Sequence, residues 1–453
     1  MFKELVKKIY ISLASLITLA LILLGRIDRT PLQSTEEYKN TFLNVEKTLE
    51  EVHNEIPSKD TLLIGWSAKS IVPNRKDLPM AGYGYRTVKA VRDTLYARAF
   101  AFDDGVHESF VLTLDLMIFP IEVRKRLSKE LPKIGLSSNN ILYSAIHTHN
   151  GVGGFNPSVM GNLSVGQYSE EVVQKIVKAS LAAIKEATAN KVKGSVGFAK
   201  TLAPEWVTNR IVDHGTKENS LRVIKLNRID GTSAAIVTFN AHATCIDMDY
   251  WILSRDYTGE WIDNLEASDS IDFAAYCAGM VASHGPANPK TESSFDHIKD
   301  MGKSLADSTL NVWNEAEMKF IATASIYKIP IDFRPSQVRI DTQFNIKVRD
   351  WVFKLASGGL HGNITYFKLG DIDWFGMPSD FSGEIALDFK YDSIAKAKNK
   401  EIMITSFNGD YVGYITCDTY YDSLDSYEVR EMNWVGPEYG AYFGDIIKEL
   451  IEN

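Results

Sequence analysis

Residues 140–154, NILYSAIHTHNGVGG, constrain the fold more than any other part of the chain. The first seven are rich in β-branched and aromatic side chains and predict a short buried strand. Because side chains alternate along a strand, His147 and His149 leave its end on the same face. The glycines that follow permit a tight turn and a close approach of a ligand to the backbone. Such a pair can bind one metal ion, although two hydrogen-bonded structural histidines would give the same pattern.

Two further strand ends carry residues able to bind a metal. Residues 235–242, AIVTFNAH, predict a strand that ends at His242, and residues 373–381, DWFGMPSDF, place Asp380 in a loop after another strand. Mixed α/β folds place their sites at strand ends, so together these residues favour a zinc-type site over structural histidines. Ligands so far apart in the chain must converge on one point, which predicts that most of the length folds as a single domain.

The rest of the chain alternates strand-like and helix-like segments. Ser169 can cap a helix with Glu170 and Glu171 in its first turn, and a second helix is predicted over residues 293–315. The further candidate strands are residues 109–115, 234–241, 273–277, 321–328, 372–377 and 401–407. With neither a GxGxxG motif nor a P-loop after a strand, we expect a mixed α/β fold. Its one large catalytic domain, residues 60–453, would have central β-sheets flanked by helices.

The first thirty residues are unlike the rest. Lys3, Lys7 and Lys8 precede an uncharged apolar run over residues 9–25, about 25 Å of helix against a bilayer core of roughly 30 Å. Because no small-x-small cleavage site closes the run, residues 1–30 are interpreted as a signal anchor, with a cleaved signal peptide as the alternative. The lysines would face the cytoplasm and the catalytic domain the extracytoplasmic side, in the cell envelope or the secretory pathway. Residues 31–59 suit a stalk or a surface helix.

Composition excludes other classes of protein. The net charge of −9 argues against a nucleic-acid partner. Cys245, Cys277 and Cys417 are too few and too far apart for a disulfide framework, and one bridge at most is expected. Nothing in the sequence indicates the oligomeric state.

The segments around the histidines resemble those of the neutral (non-lysosomal) ceramidases, zinc amidases that cleave ceramide into sphingosine and fatty acid. The resemblance rests on collinear motifs over roughly residues 60–450 and covers only the catalytic N-terminal domain of that family. The motifs are HTHNGVGG at 147–154, Asn209-Arg210, His242, SRDYTG at 254–259, GMPSDFSGE at 376–384 and GYITCDTYYDSLDSYE at 413–428.

The resemblance implies a zinc site and a reaction. The implied zinc ligands are His147, His242, Asp380 and Tyr414, while His149 and Arg210 would be catalytic and bind the substrate carbonyl or the developing oxyanion. Zn²⁺ with an open position lowers the pKa of a bound water towards about 7. The implied activity is hydrolysis of the amide bond of an N-acyl sphingoid lipid by metal-activated water, in a protein held at the membrane by its N-terminal helix. The alternatives are a metal hydrolase with a non-ceramide substrate and a catalytically silent envelope binding protein.

Three departures from the family pattern bear on the substrate. The family has Glu where this chain has the shorter Asp380, and Ser where it has Asn150. Its Gly-Asp-(Val)-Ser-Pro segment corresponds to residues 277–286, CAGMVASHGP, where the serine falls at Gly285. We expect Asn150, Ser283 and His284 to contact the substrate.

Other expectations concern the surroundings of the site. A carboxylate is expected to orient one of the ligand imidazoles, with Asp115, Asp247 and Asp256 as candidates. An acyl groove could be lined by Trp206, Tyr250, Trp251 and Trp261, although such aromatic residues usually belong to the core. Residues 418–428 are either a lid or a solvated surface.

Overall fold

The computed structural model describes residues 2–56, 58, 60–288, 293–341 and 343–453. Its α-helices are α1 (Phe2–Leu23), α2 (Glu36–His53), α3 (Ile121–Glu130), α4 (Val159–Ser164), α5 (Glu170–Ala189), α6 (Asp256–Glu266), α7 (Ser294–Val312), α8 (Asp350–Ser357), α9 (Gly383–Asp388), α10 (Tyr391–Ala397), α11 (Asp418–Ser423) and α12 (Tyr439–Glu452).

The strands are short, and most belong to two large sheets. They are β1 (Leu24–Arg26), β2 (Leu63–Ser70), β3 (Pro79–Met80), β4 (Arg86–Thr87), β5 (Ala90–Val91), β6 (Tyr96–Asp103), β7 (Glu108–Leu114), β8 (Ile141–Ala145), β9 (Val192–Leu202), β10 (Val207–Asn209), β11 (Ser220–Arg228), β12 (Ser233–Thr238), β13 (Ile252–Leu253), β14 (Phe273–Tyr276), β15 (His284–Pro286), β16 (Ala324–Pro330), β17 (Arg339–Asp341), β18 (Ile346–Val348), β19 (Asn363–Leu369), β20 (Ile372–Gly376), β21 (Asp380–Phe381), β22 (Glu401–Thr405) and β23 (Tyr414–Ile415).

The two large sheets pack face to face. The larger has eight strands in the order β14-β12-β11-β9-β2-β6-β7-β8, antiparallel except for the parallel pairs β12–β14 and β7–β8 at its two edges. The smaller has the order β16-β19-β20-β22. Phe100 and Phe102 of β6 meet Phe367 and Trp374 of the smaller sheet in the core between them. Burying each such ring contributes about 2 kcal/mol.

Helices cover the outer face of each sheet. Because side chains alternate along β6, Ala97, Ala99 and Ala101 face the opposite side from its phenylalanines and pack against α3 and α5. Helices α6 and α7 cover the other half of the same face. Helices α2, α9, α10 and α12 cover the outer face of the four-stranded sheet. The protein is therefore a four-layer α/β/β/α sandwich, which confirms the predicted mixed α/β fold with central sheets flanked by helices.

The predicted elements are present close to their expected bounds. Each predicted strand has a counterpart that begins and ends within four residues of it, and β12 ends at Thr238, four residues before His242. Ser169 caps α5, its side chain accepting a hydrogen bond from the Val172 N–H. Helix α7 begins at Ser294 and ends at Val312, and residues 313–315 continue as a 3₁₀ turn. The three cysteines are free and buried, so the single bridge that the sequence allowed does not form.

The N-terminal helix stands apart from these layers. Helix α1 is solvent-exposed along its length and has a mean hydropathy of 1.9, and among the described residues it alone is long and apolar enough to cross a membrane. A signal sequence has the same properties, so the anchor stays a prediction. Helix α2 is capped by Thr35 and buries Val45 and Leu49 against the smaller sheet.

Candidate metal centre

The first two histidines lie directly after strand β8. His147 takes a left-handed backbone conformation with φ of 63°, which costs a residue with a side chain about 1–2 kcal/mol. Its N–H donates to the Leu116 carbonyl, and its ring stacks on Phe407 with the ring centroids 4.1 Å apart. The glycines that follow serve the backbone: a Cβ on Gly153 would lie 2.1 Å from the Val165 carbonyl oxygen. The sharp turn holds His147 and His149 over the end of the sheet.

Three imidazoles converge at this end of the sheet. His242 follows β12, and one ring nitrogen each of His147, His149 and His242 lies within 4.8 Å of the other two. The Nε2 atoms of His147 and His149 are 3.3 Å apart. Such a group could hold a metal ion, as the strand-end histidines predicted.

Backbone carbonyls orient two of the rings. The Nδ1 of His147 is 2.6 Å from the Met117 carbonyl oxygen, and the Nδ1 of His242 is 2.8 and 2.9 Å from the carbonyl oxygens of Val281 and His284. With Nδ1–H donated to a carbonyl, the Nε2 lone pair of each ring faces the centre. Burial lowers the pKa of His147 to about 3 and the pKa values of His149 and His242 well below 6.5. The rings are thus neutral, the form that binds metals.

Asp380 and Tyr414 reach the same point from a small parallel ladder. Strand β21 pairs with β23, with Asp380 opposite Tyr414. The Asp380 Oδ2 is 3.7 Å from the Nε2 of His147 and 3.6 Å from the Nε2 of His242, and the Tyr414 Oη is 3.2 Å from the latter. Asp380 is fully buried, and neither oxygen accepts a hydrogen bond from any residue that the structure describes.

The pKa of Asp380 is that of a buried carboxyl group without a strong hydrogen-bonded or charged partner. Burial raises its pKa to about 7, against the opposing influence of the Arg210 guanidinium and the nearby Tyr414 hydroxyl. A buried carboxylate normally has a hydrogen-bonded or charged partner. Neutral imidazoles beside an unsatisfied carboxylate therefore form a donor set that fits a divalent cation taking nitrogen and oxygen ligands.

Arg210 closes one side of the centre. Its Nη2 lies 3.2 Å from the His242 Nε2 and donates to the Tyr414 hydroxyl at 3.1 Å and the Ala282 carbonyl at 3.0 Å. Its Nη1 donates to the Tyr427 hydroxyl at 2.9 Å. Burial opposes its charge, but these tyrosines and nearby carboxylates raise the pKa of the guanidinium above its ordinary value. Arg210 is therefore a fixed positive charge beside the histidines.

A cavity of about 530 Å³ leads away from the histidines. Its polar end comprises His147, His149, Tyr414 and Tyr427. Most of the remaining wall is apolar or small, and it includes Met117, Ile118, Ile121, Met160, Gly161, Val165, Gly359, Met432 and Trp434. The shape and lining suit a ligand with an apolar tail and one polar group at the centre.

Comparison with known proteins places the chain in a family. The sequence model of neutral/alkaline non-lysosomal ceramidase, N-terminal, matches residues 62–294, about half of the chain. The chain belongs to this family. A curated relative, the neutral ceramidase of Pseudomonas aeruginosa, is 24% identical over 267 residues, which are 52% of this chain and 40% of the relative. The matched region thus spans well under half of that protein.

Solved ceramidase structures share the fold. A ceramidase complexed with C2 superposes with a TM-score of 0.74 at 16% identity, covering 87% of this chain and 75% of the other. The crystal structure of the neutral ceramidase from Pseudomonas aeruginosa gives a TM-score of 0.72 at 18% identity, covering 87% and 74%. At these identities the likeness shows the fold alone.

In this ceramidase-family protein, three residues expected to contact substrate do not line the cavity. The Asn150 amide donates to the carbonyls of Tyr250 and Ile252 at 3.1 Å each. The Ser283 hydroxyl pairs with that of Ser382, and the His284 Nε2 accepts a hydrogen bond from the Glu218 N–H at 3.2 Å. All three are buried and directed into the protein.

The segment that includes Ser283 and His284 contacts the metal-centre residues through its backbone carbonyls. The carbonyls of residues 281–284 accept hydrogen bonds from His242 and Arg210. In this segment it is the main chain that contacts His242 and Arg210, and the predicted contact of the Ser283 and His284 side chains with substrate stays a prediction.

The prediction that a carboxylate orients a ligand imidazole is wrong for His147 and His242, because backbone carbonyls orient both rings. Asp115 accepts a hydrogen bond from the Tyr96 N–H, and burial raises its pKa to about 6. Asp256 accepts from the N–H groups of Cys245 and Ile246, and Asp247 pairs with Ser294. These aspartates hold loops together.

The four aromatic residues considered for an acyl groove do not line the cavity. Trp206 and Trp261 belong to the core between the larger sheet and its helices, and Tyr250 and Trp251 are partly exposed outside the cavity. Aromatic character alone did not distinguish a cavity wall from a core.

Several residues of the site were not predicted individually. Tyr83, Tyr411 and Tyr427 line the cavity, and Glu428 is buried with its carboxylate 3.6 Å from Arg210. Tyr427 and Glu428 could have been predicted from the sequence, because they are the Tyr-Glu pair that ends the last family motif. At Tyr427 this segment forms part of the cavity wall, so it is more than a solvated surface, and its role as a lid stays a prediction.

Proposed function

We propose that this protein is a zinc-dependent amidohydrolase that cleaves the amide bond of an N-acyl sphingoid lipid. The observation that carries the proposal is the fully buried, unsatisfied Asp380 among three neutral imidazoles at the polar end of an apolar cavity. Perturbed, convergent groups of this kind in a pocket are typical of catalytic sites. Membership of the ceramidase family supports an amide as the scissile group.

The metal would be held by His147, His242, Asp380 and Tyr414. The two unpartnered Asp380 oxygens and the inward-facing Nε2 lone pairs support this set. Zinc bound there would supply a Lewis acid and a water acidic enough to attack an amide near neutral pH. Aspartate is shorter than the glutamate of the family pattern, and the ladder pairing of Asp380 with Tyr414 brings its carboxylate to the imidazoles.

His149 and Arg210 would act on the substrate carbonyl. His149 lines the cavity next to His147, and its buried Nδ1 has no hydrogen-bond partner among the described residues. The Arg210 guanidinium stays charged and is fixed by the Ala282 carbonyl and two tyrosine hydroxyls. A prepositioned cation and N–H donor stabilise negative charge developing on the carbonyl oxygen, and removing one such donor costs about 100- to 1,000-fold in turnover.

The rest of the cavity would bind the apolar part of the substrate and exclude water. Met117, Ile118 and Ile121 form one wall of this volume. Helix α1 would anchor the protein with Lys3, Lys7 and Lys8 in the cytoplasm, which places the cavity beside a membrane on the extracytoplasmic side.

One observation favours a second candidate, the same chemistry on a different N-acyl amide. Gly285 stands where the family pattern has a serine, and a Cβ there would lie 3.5 Å from the Arg210 side chain, an ordinary contact. A serine would thus reach the neighbourhood of Arg210, and its absence changes what the substrate meets there.

The test is turnover of a fluorescent short-chain ceramide by the purified full chain. We expect fatty-acid release that a chelator abolishes and added zinc restores, and Gly285→Ser should raise turnover of ceramide relative to other N-acyl amides. No release of fatty acid by a zinc-loaded protein would overturn ceramide as the substrate. Turnover of another N-acyl amide by the same sample would then establish the second candidate.

A further inference from the structure

Exposed apolar side chains flank the cavity on two helices. Val159 and Leu163 of α4 are 61% and 70% exposed, and Trp351 and Leu355 of α8 are 50% and 76% exposed. Each pair is spaced by four residues and therefore lies on one face of its helix. These four residues are called the apolar rim here. Contiguous exposed apolar surface of this kind marks an interaction site.

The apolar rim adjoins the wall of the cavity. Helices α4 and α8 pack against each other, and α4 contributes Met160, Gly161 and Ser164 to the cavity lining. The end of α8 and the residues after it contribute Ser357 and Gly359. The two rim helices therefore lie directly beside the cavity.

Helix α1 is fixed to the protein next to the same rim. Strand β1, which follows α1 without a gap, pairs with β18, so that Leu24 lies opposite Val348 and Arg26 opposite Ile346. Arg349 then donates its backbone N–H to the Leu23 carbonyl at 2.9 Å, its Nε to the Leu24 carbonyl at 2.8 Å and its Nη2 to the Leu21 carbonyl at 3.0 Å. Helix α8 begins at the next residue.

These contacts set the depth of the rim relative to any membrane that α1 crosses. The uncharged run over residues 9–25, which includes the rest of α1, spans about 25 Å, at the short end of what a bilayer core of roughly 30 Å requires. The end of α1 would then lie at the bilayer surface, and the residues bonded to it at the same level. Trp351 is of the type enriched in this interfacial layer, and Arg349 can contact lipid phosphates there. Phe344, 71% exposed in the connection between β17 and β18, adds apolar surface on this side.

We propose that the apolar rim of α4 and α8 inserts into the interfacial layer of the phospholipid bilayer that α1 spans, and that the cavity opens towards this bilayer. The occupant of the surface is the bilayer of the protein's own membrane. An acyl lipid would enter the cavity beside these helices without crossing water, a consequence that rests on the function proposed above.

The insertion can be measured on the full chain in phosphatidylcholine vesicles. Leu163→Cys and Leu355→Cys are labelled with an environment-sensitive fluorophore, which is practicable because the three native cysteines are buried. The matched control is Ile229→Cys, an equally exposed apolar residue (65%) in the turn before β12, at the end of the sheet opposite His242. Lipid-borne nitroxide quenchers report contact with the membrane.

We expect blue-shifted, strongly quenched emission at positions 163 and 355 and unquenched emission at position 229. Equal, weak quenching at all three positions would overturn the proposal. It would also be overturned if the full chain failed to float with the vesicles.

A second pair of variants separates the rim from the chemistry. Leu163→Asp and Leu355→Asp lie outside the cavity lining. We expect the double variant to hydrolyse a long-chain amide embedded in vesicles about tenfold more slowly than the parent, with turnover of a water-dispersed short-chain amide unchanged. Equal turnover of the embedded substrate by parent and variant would overturn the role of the rim. If the parent hydrolyses neither substrate, the proposed function fails, and the quenching result still decides whether the rim inserts.

Discussion

Two buried carboxylates in this protein have opposite surroundings. Glu218 is 4% exposed and Asp380 is fully buried. The Oε2 of Glu218 accepts hydrogen bonds from Arg222 at 2.7 Å, from the Ser220 hydroxyl at 2.8 Å and from the Asn240 amide at 2.7 Å. Neither oxygen of Asp380 accepts one from the described residues.

The different surroundings of Glu218 and Asp380 shift their pKa values in opposite directions. Burial opposes the charge of Glu218, but Arg222 and the hydrogen bonds lower its pKa below the ordinary value. For Asp380 burial prevails over Arg210 and raises the pKa to about 7. A carboxylate whose partners are all built into the fold stabilises that fold, whereas a buried carboxylate without them is suited to bind a ligand or a cation.

The largest expected effect concerns turnover by Asp380→Asn. Removing the charge should lower hydrolysis of an N-acyl amide about 1,000-fold or more, beyond the 10- to 100-fold that outer partners of a metal site cost. The matched variant Glu218→Gln should keep the parent's turnover per folded molecule. Comparable losses in both variants, measured at equal folded fraction, would erase the distinction between the two carboxylates.

The free energy of unfolding should fall more in Glu218→Gln than in Asp380→Asn, the reverse of the order expected for turnover. Glu218→Gln leaves Arg222 with the partly exposed Asp392 as its charged partner, and we expect the free energy of unfolding to fall by about 2 kcal/mol in urea titrations. Asp380→Asn in the metal-free protein should cost nothing, since it removes an uncompensated buried charge. A metal-free Asp380→Asn protein less stable than Glu218→Gln would contradict this assignment.

The pH dependence gives a further, smaller effect. A carboxyl with a lowered folded-state pKa stabilises the fold above its ordinary pKa of about 4.5, and this stability is lost as the pH falls through the lowered value. The free energy of unfolding of the parent should therefore fall more steeply with acidification below pH about 4.5 than that of Glu218→Gln. Parallel curves would show that Glu218 does not have a lowered pKa.

The smallest effect is expected at Asn150, which lies next to His149 but is fully satisfied. Asn150→Ser restores the residue of the family pattern and removes two hydrogen bonds to the carbonyls of Tyr250 and Ile252. We expect a loss of about 1 kcal/mol of stability with KM unchanged. A changed KM at unchanged stability would restore the predicted contact with substrate.

The sequence predicted the parts of the site that depend on strand ends. His147, His149 and His242 each follow an apolar strand with a clear pattern, and the structure brings them together. Asp380 was also predicted from its place after an apolar strand, although it lies in the two-residue strand β21 rather than in a loop. Tyr414 required the family motifs, because a ladder of two residues per strand has no periodicity to read. The orienting groups of His147 and His242 are backbone carbonyls, which no residue type announces.

The four-layer arrangement was harder to predict from the sequence than the mixed α/β fold class. Strand β6, YARAFAFD, alternates small and aromatic residues, yet both of its faces are buried, one against helices and one against the second sheet. Alternation normally indicates one solvated face, so the pattern does not reveal the second sheet. Strands β2, β6, β9 and β11, which form the centre of the larger sheet, were not among the predicted strands.

The most direct test of the metal centre is the metal content of the purified full chain after loading with zinc and removal of unbound ions. The proposal predicts about one zinc per chain in the parent and in Glu218→Gln, retention in His149→Ala, and loss in His242→Ala and Asp380→Asn. A parent without bound metal, or full retention in both His242→Ala and Asp380→Asn, would contradict it.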